Sequence, residues 1–171
     1  MLIKNKFILS FICLVLLSCG NSTYQPEEYI STNLTEEKID LSKEVFKKLK
    51  KEHYIKNFVK DDFNINYINA LIERLDENKL YFLESEIKNF KEESSQYSGK
   101  SFDIDLAYLI INLYFERLVD FSEFQIKLIE KDSFDFTKDE FIDIYYEDNQ
   151  WPASEALLKN IWRNETKNDL L

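Results

Sequence analysis

Glycine and proline are both scarce in this chain, which has two residues of each among its 171. Hairpin turns and phosphate-binding loops depend on glycine, because they need backbone angles that a Cβ atom disfavours. No alternation of strand and helix patterns runs along the chain either. These absences predict an all-α fold, an irregular multi-helix domain of about five to six helices with no substantial sheet.

A long hydrophobic run is also missing. The apolar stretch from Phe7 to Leu17 has eleven residues, whereas a helix that spans a membrane needs roughly 20. This stretch follows Lys4 and Lys6, and a short apolar run after basic residues is typical of a cleaved export signal. We therefore predict a signal peptide at residues 1–18.

Cysteine is equally rare, and Cys19 ends the stretch Leu16-Leu17-Ser18-Cys19, which resembles the lipobox of bacterial lipoproteins. We therefore predict that Cys19 is lipidated and becomes the first residue of the mature protein. The alternative is an ordinary signal peptide with a chance cysteine near its end. Cys13 leaves with the signal, so no thiol remains for a disulfide, a metal cluster or a catalytic nucleophile.

A lipidated N-terminus would hold the mature protein on the periplasmic side of a bacterial membrane by more than one acyl chain. Gly20 favours the outer membrane, since an Asp at this position retains lipoproteins in the inner membrane of enteric bacteria. The soluble periplasm is the alternative location. Residues 19–34 are polar, contain Pro26 and lack an apolar period, so they predict a flexible tether.

Positive charge is in short supply. Loss of Lys4 and Lys6 leaves 20 basic residues against 32 acidic ones, a net charge of about −12. Nucleic acids and anionic lipid headgroups are therefore poor partners. One basic cluster exists, and we expect it to be a solvated helix face rather than a binding patch: Lys47, Lys48, Lys50 and Lys51.

From Thr35 onward, apolar residues recur at the three- and four-residue spacing of amphipathic helices. Thr35 predicts the cap of a first helix that ends near His53, and the longest helix is expected from near Asp103 to near Lys131. The apolar stripe of the first helix consists of Leu41, Val45, Phe46 and Leu49.

Three further helix starts are predicted from capping residues and from a break in the chain. Asn66 and Ser85 are expected to begin two of these helices, and Trp151-Pro152 to begin the last one, with Pro152 in its first turn. Residues 134–136 alternate like a short extended piece. One face of the last helix carries Leu157, Leu158, Ile161 and Trp162.

The sharpest metal-like pattern is Asp62-x-Asn64-x-Asn66 with Glu73 at the twelfth position, as in a calcium-binding EF-hand loop. The sixth position holds Tyr67 in place of the glycine that the sharp turn of such a loop needs. We therefore predict no metal site here, and expect Asn66 to cap a helix instead.

Other candidates for chemistry have simpler interpretations. His53 is the single histidine and is expected to cap or pack a helix end, and Trp151 and Trp162 are expected in the core. A Ser-Lys pair needs an oxyanion hole from a glycine-bearing loop, for which Gly99 offers little. On residues alone, we predict a binding or scaffolding domain with no catalytic residue, metal or cofactor.

Several short motifs follow one another in a fixed order along the chain: Leu75-Asp76-Glu77-Asn78-Lys79-Leu80-Tyr81-Phe82-Leu83, Tyr114-Phe115-Glu116-Arg117, Trp151-Pro152 and Trp162-Arg163. This series resembles the N-terminal helical domain of the tail-specific (carboxy-terminal processing) proteases of Gram-negative bacteria, over about residues 35–171. The resemblance implies that this domain precedes a PDZ domain and a Ser-Lys serine protease domain. It also implies an enzyme that cuts periplasmic proteins with apolar C-terminal tails, sometimes with a lipoprotein adaptor.

Two hypotheses follow from this resemblance. The first is that the chain is the non-catalytic N-terminal part of such a protease, cut short at Leu171, which helps to enclose or dock a protein substrate or an adaptor. The second is a stand-alone acidic lipoprotein that acts as an adaptor or scaffold. The lipobox departs from the ordinary signal peptides of better-known members. In either case we expect no cleavage activity from residues 19–171 alone.

Overall fold

The computed structural model of the protein describes residues 31–53, 63–97, 101–131, 134–138 and 150–171. Every regular element in these ranges is an α-helix, so the prediction of an all-α fold is confirmed. The predicted signal peptide and most of the predicted tether lie outside the described residues. The helices of the described part are α1 (Glu36–Glu52), α2 (Phe63–Leu75), α3 (Glu84–Gln96), α4 (Ile104–Lys131) and α5 (Glu155–Asp169).

Helix α1 begins and ends close to the predicted positions. Thr35 is its cap, and the Thr35 hydroxyl accepts a hydrogen bond from the backbone N–H of Lys38 at 3.4 Å. The predicted apolar stripe is wrong in part, because Leu41 is 59% exposed and Val45 43%. Phe46 is buried, and its ring contacts those of two phenylalanines outside α1, Phe63 and Phe102.

Helix α2 runs from Phe63, so the prediction that Asn66 caps it is wrong: Asn66 is an exposed residue of its first turn. A different asparagine connects this end of α2 to the start of α4. The side-chain oxygen of Asn64 accepts from the Asp103 N–H at 2.9 Å, and its amide nitrogen donates to the Ser101 carbonyl at 3.0 Å. Asn64 therefore satisfies backbone groups of the segment that leads into α4 rather than those of its own helix.

Helix α3 begins one residue earlier than predicted, and its cap does not involve Ser85. The Glu86 carboxylate accepts from the Leu83 N–H at 2.8 Å and so satisfies a donor that precedes the helix. Helix α4 begins and ends close to the predicted positions. The Asp103 carboxylate accepts from the Leu106 N–H at 3.2 Å and so caps the start of this helix.

Helix α5 is capped by Ser154, whose hydroxyl accepts from the Leu157 N–H at 3.3 Å. Pro152 lies two residues before this cap, so its predicted place in the first turn is wrong. Leu157 is 52% exposed, whereas Leu158 and Trp162 are buried. The predicted apolar face is therefore narrower than four residues.

Residues 134–138 form a turn instead of the predicted extended piece. The Asp135 carboxylate accepts from the Thr137 N–H at 3.0 Å and from the Thr137 hydroxyl at 2.6 Å, and these two bonds lower the pKa of Asp135. The turn is attached to α5, because the Lys167 ammonium donates to the Asp135 carbonyl at 2.7 Å.

The core consists of two clusters that α4 joins. The first cluster packs α2 and α3 against the N-terminal half of α4, and the second packs α5 against its C-terminal half. Complete burial of each large apolar side chain contributes roughly 1.5–3 kcal/mol. The first cluster contains Ile68, Ile72, Phe82, Ile87, Phe90, Leu106, Ala107 and Ile110, and the second contains Phe121, Leu158 and Trp162.

Candidate functional site

The chain between α2 and α3, residues 76–82, is built around one buried carboxylate. Asp76 is 1% exposed, and its two oxygens accept the backbone N–H groups of Leu80 at 2.6 Å, Tyr81 at 3.2 Å and Phe82 at 3.0 Å. A buried backbone donor needs a partner, and these donors have none in a helix. The Asp76 carboxylate therefore takes the place of the backbone carbonyl acceptors that a helix or sheet would provide. We call residues 76–82 the Asp76 turn.

Burial raises the pKa of Asp76, although the hydrogen bonds that its carboxylate accepts act in the opposite direction. Burial also raises the pKa of Tyr81 to about 12, with a smaller contribution from the nearby Tyr114. The Tyr81 hydroxyl is therefore protonated at physiological pH.

Lys79 adopts a positive φ of 56° within the Asp76 turn. This left-handed conformation places a Cβ close to the backbone and is usually filled by glycine. The Lys79 N–H donates to the Asp76 carbonyl at 3.1 Å, which closes the turn after the last residue of α2.

Both tryptophans hold the Asp76 turn from distant parts of the chain. The Trp151 indole N–H donates to the Asp76 carboxylate at 3.1 Å, and the Trp162 indole N–H donates to the Leu80 carbonyl. A backbone bond of 3.0 Å from Glu84 to the Pro152 carbonyl lies beside them. The predicted core position of Trp162 is confirmed, whereas Trp151 is half-buried and packs on the edge of the first cluster.

Trp151 separates two cavities. One has a volume of about 550 Å³ and lies along α3, and the other has a volume of about 640 Å³ and lies against the end of α2 and the Asp76 turn. Cavities of this size accept a small ligand or a short peptide segment. The first, which we call the α3 cavity, is lined by Glu84, Ile87, Lys88, Lys91, Glu92, Ser95, Gln150 and Trp151.

Two lysines approach the Trp151 ring. The ammonium groups of Lys79 and Lys91 lie 5.5 Å and 5.8 Å from the ring centroid, within the range of a cation–π interaction. Carboxylates are also present in the α3 cavity, where Glu92 lies 3.8 Å from Lys88. The Trp151 ring is therefore an apolar wall with cations beside it, held in orientation by Asp76.

A third cavity, of about 370 Å³, lies between α4 and α5 near Arg117. Arg117 donates to the Glu86 carboxylate at 3.0 Å, and the same carboxylate accepts the Leu83 N–H described above. The Nε atom of Arg117 is buried without a hydrogen-bond partner. This ion pair therefore connects the start of α3 to the middle of α4.

The calcium-like pattern does not form a loop. Asn64, Asn66 and Glu73 all lie within α2, and a helix cannot wrap its ligands around one ion. Asp62 lies outside the described residues. In the part of the chain that the structure describes, no three His, Cys, Asp or Glu side chains come together to hold a metal ion.

The other predicted positions have plain structural roles or lie elsewhere. His53 is the C-cap residue of α1, and its N–H donates to the Leu49 carbonyl at 3.1 Å. Ser95 lines the α3 cavity together with two lysines, and its hydroxyl donates to the Glu92 carbonyl at 2.7 Å. Gly99 and the predicted lipidation site Cys19 are outside the described residues.

Sequence reasoning recognised Asp76 as a turn residue but did not find its connection to Trp151. The usable signal was the polar turn followed by Leu80, Tyr81 and Phe82, three residues that need burial and whose N–H groups need acceptors. An aspartate just past a helix end is the nearest acceptor in sequence.

Across residues 31–53, 63–97, 101–131, 134–138 and 150–171, no helix is long and apolar enough to span a bilayer.

A comparison with known protein families matches residues 45–171 to the tail specific protease N-terminal domain. A search of curated proteins finds no match. The matched range contains the Asp76 turn, both tryptophans and the three cavities. The resemblance predicted from the short motifs is therefore confirmed.

Proposed function

The chain belongs to the family of tail specific protease N-terminal domains, and from this membership we propose that it is a non-catalytic docking domain. In this role it helps to enclose or hold a protein substrate, or an adaptor protein, for a tail-specific protease. The family match over residues 45–171 is the observation that carries the proposal.

The geometry around Trp151 supports a docking role. A half-buried aromatic ring with a fixed orientation and two adjoining cavities can receive side chains of another protein without rearrangement. Such preorganisation favours binding, because less conformational entropy is lost when the partner arrives. The described cavities are lined by lysines, carboxylates and apolar groups, a composition suited to recognition of a polypeptide.

We further propose that the protein works on the periplasmic side of a bacterial membrane, attached through a lipid on Cys19. The family is associated with periplasmic proteases, and the lipobox-like stretch before Cys19 supports the anchor. Gly20 supports the outer membrane as its location. Mass spectrometry of the mature N-terminus tests this proposal: acyl chains on Cys19 are expected, and an unmodified mature N-terminus would contradict it.

The docking proposal is tested with a fluorescently labelled reporter protein that carries an apolar C-terminal tail. We expect the purified protein to raise the anisotropy of the reporter while gel electrophoresis shows no cleavage. Cleavage by the purified protein would contradict the non-catalytic role, and unchanged anisotropy at high protein concentration would contradict substrate docking. A reporter with a charged tail is the matched control for the tail.

A further inference from the structure

We propose that the α3 cavity binds an internal, extended segment of a partner protein in which an apolar residue is followed by one acidic residue. The apolar side chain lies on Ile87 and the Trp151 ring, and the carboxylate pairs with Lys91. This inference rests on the proposed docking function and names the chemistry of the docked segment.

The shape of the α3 cavity favours an extended segment. Its lining residues occur on successive turns of α3 from Glu84 to Ser95, a helix length of about 16 Å. An extended chain covers this length with about five residues. A segment that follows the helix therefore enters and leaves the cavity, which favours an internal stretch of chain over a terminus.

The floor of the cavity accepts an apolar side chain. Ile87 is buried beneath it, and the Trp151 ring forms one wall. The hydrogen bond from Trp151 to Asp76 holds this ring in place before a ligand arrives. An apolar side chain of the partner would thus cover a surface that is already formed.

The charges of the cavity favour one carboxylate instead of an acidic run. Within the described ranges Lys91 is in no ion pair, and its ammonium lies beside the Trp151 ring. Lys88 is already close to Glu92, and Glu84 adds a further negative charge to the lining. One partner carboxylate can pair with Lys91, while additional carboxylates would meet Glu84 and Glu92.

The two indole N–H signals of the protein give a direct test by nuclear magnetic resonance. The complete chain, in mild detergent, is titrated with the capped peptide Ac-Ala-Phe-Glu-Ala-Ala-NH₂ and with its Gln counterpart. We expect the Trp151 signal to shift and the Trp162 signal to stay, with binding of the Gln peptide about three- to fivefold weaker. The exchange Lys91→Gln should weaken the Glu peptide by a similar factor and leave the Gln peptide unchanged.

Lys48→Gln, at an exposed position of α1, is the matched control and should change nothing. Equal binding of the Glu and Gln peptides, or equal shifts of both indoles, would overturn the proposal. Tighter binding of Ac-Ala-Ala-Gln-Ala-Phe with a free C-terminus would also overturn it, because a terminal carboxylate would then be the ligand. If the reporter protein binds while Trp151 does not respond, this inference fails and the docking function stands.

Discussion

Asp76 accepts the backbone N–H groups of the Asp76 turn, and Asp76→Ala measures how much the stability of the domain depends on these bonds. The substitution leaves the N–H groups of Leu80 and Phe82 without an acceptor in a buried place. A buried donor that loses its partner costs about 1–3 kcal/mol, so these two groups together give about 2–6 kcal/mol. The N–H groups of Tyr81 and Trp151 add less, because they are half-buried and can reach water.

Water that enters the space left by the carboxylate satisfies part of this demand, so we expect a loss of about 3–4 kcal/mol in the free energy of unfolding. A loss of that size is a large fraction of the 5–15 kcal/mol or so that holds a typical domain together. Urea unfolding followed by tryptophan fluorescence measures it. Glu77→Ala, an exposed change in the same turn, is the control and should alter the free energy of unfolding by less than about 0.5 kcal/mol.

A loss below about 1 kcal/mol for Asp76→Ala would refute the reasoning, since it would mean that the backbone donors of the turn find other acceptors at no cost. A loss equal to that of Glu77→Ala would have the same meaning. A change in the slope of the free energy of unfolding against urea concentration, between Asp76→Ala and the unsubstituted protein, would instead indicate a change in the unfolded or folded ensemble.

The remaining predictions concern the same region. Lys79→Gly should be about 1 kcal/mol more stable than Lys79→Ala, because both lose the side chain but glycine alone accepts the positive φ without strain; urea unfolding compares them. The raised pKa of Asp76 means that the folded protein binds the carboxyl proton more tightly than the unfolded chain does. The free energy of unfolding of the unsubstituted protein, relative to that of Asp76→Asn, should therefore fall as pH rises from 3.8 through the folded pKa. A difference that grows with pH would contradict this expectation. Glu86→Ala should cost about 3 kcal/mol, since it removes the acceptor of the Leu83 N–H and the closer ion-pair partner of Arg117, which keeps only Asp120 at 4.0 Å. Glu86→Gln should keep the bond from Leu83 and lose less, and thermal unfolding distinguishes the two variants.

Local signals in the sequence predicted two helix starts at which the capping side chain belongs to the same turn, although a third such cap, Ser154 of α5, was missed. Thr35 caps α1, and Asp103 caps α4, through bonds that span three residues. The predicted helix starts at Asn66 and Ser85 were wrong, because residue type alone does not distinguish a capping residue from another polar residue near a helix end. The acceptor is chosen by tertiary geometry, as with Glu86, which also pairs with Arg117 on another helix.

Periodicity predicted the helices better than it predicted burial. Leu41, Val45 and Leu157 fit the apolar stripes of their helices and are nevertheless exposed. A stripe shows which side of a helix is apolar, but the neighbouring helices decide how much of that side they cover. For the same reason the sequence indicated that Trp151 belongs to the core, while its half-open ring became visible only with α3 in place.

The candidate site around Trp151 could not be predicted from the sequence, because its residues are far apart along the chain. Asp76 and Trp151 are separated by 75 residues, and Lys91 comes to the same ring from a third element. No periodicity or motif relates such positions in one sequence. The family resemblance supplied the class of protein, but not which residues meet around Trp151.

The two indole bonds to the Asp76 turn also set the order in which this domain can be completed. Trp162 and the Leu80 carbonyl are 82 residues apart along the chain, so the Asp76 turn lacks this partner until α5 has been synthesised and has docked. Contacts between such distant positions slow folding, because a long stretch of chain must be closed before they form. The Asp76 turn should therefore gain its full set of hydrogen bonds only after α5 has docked.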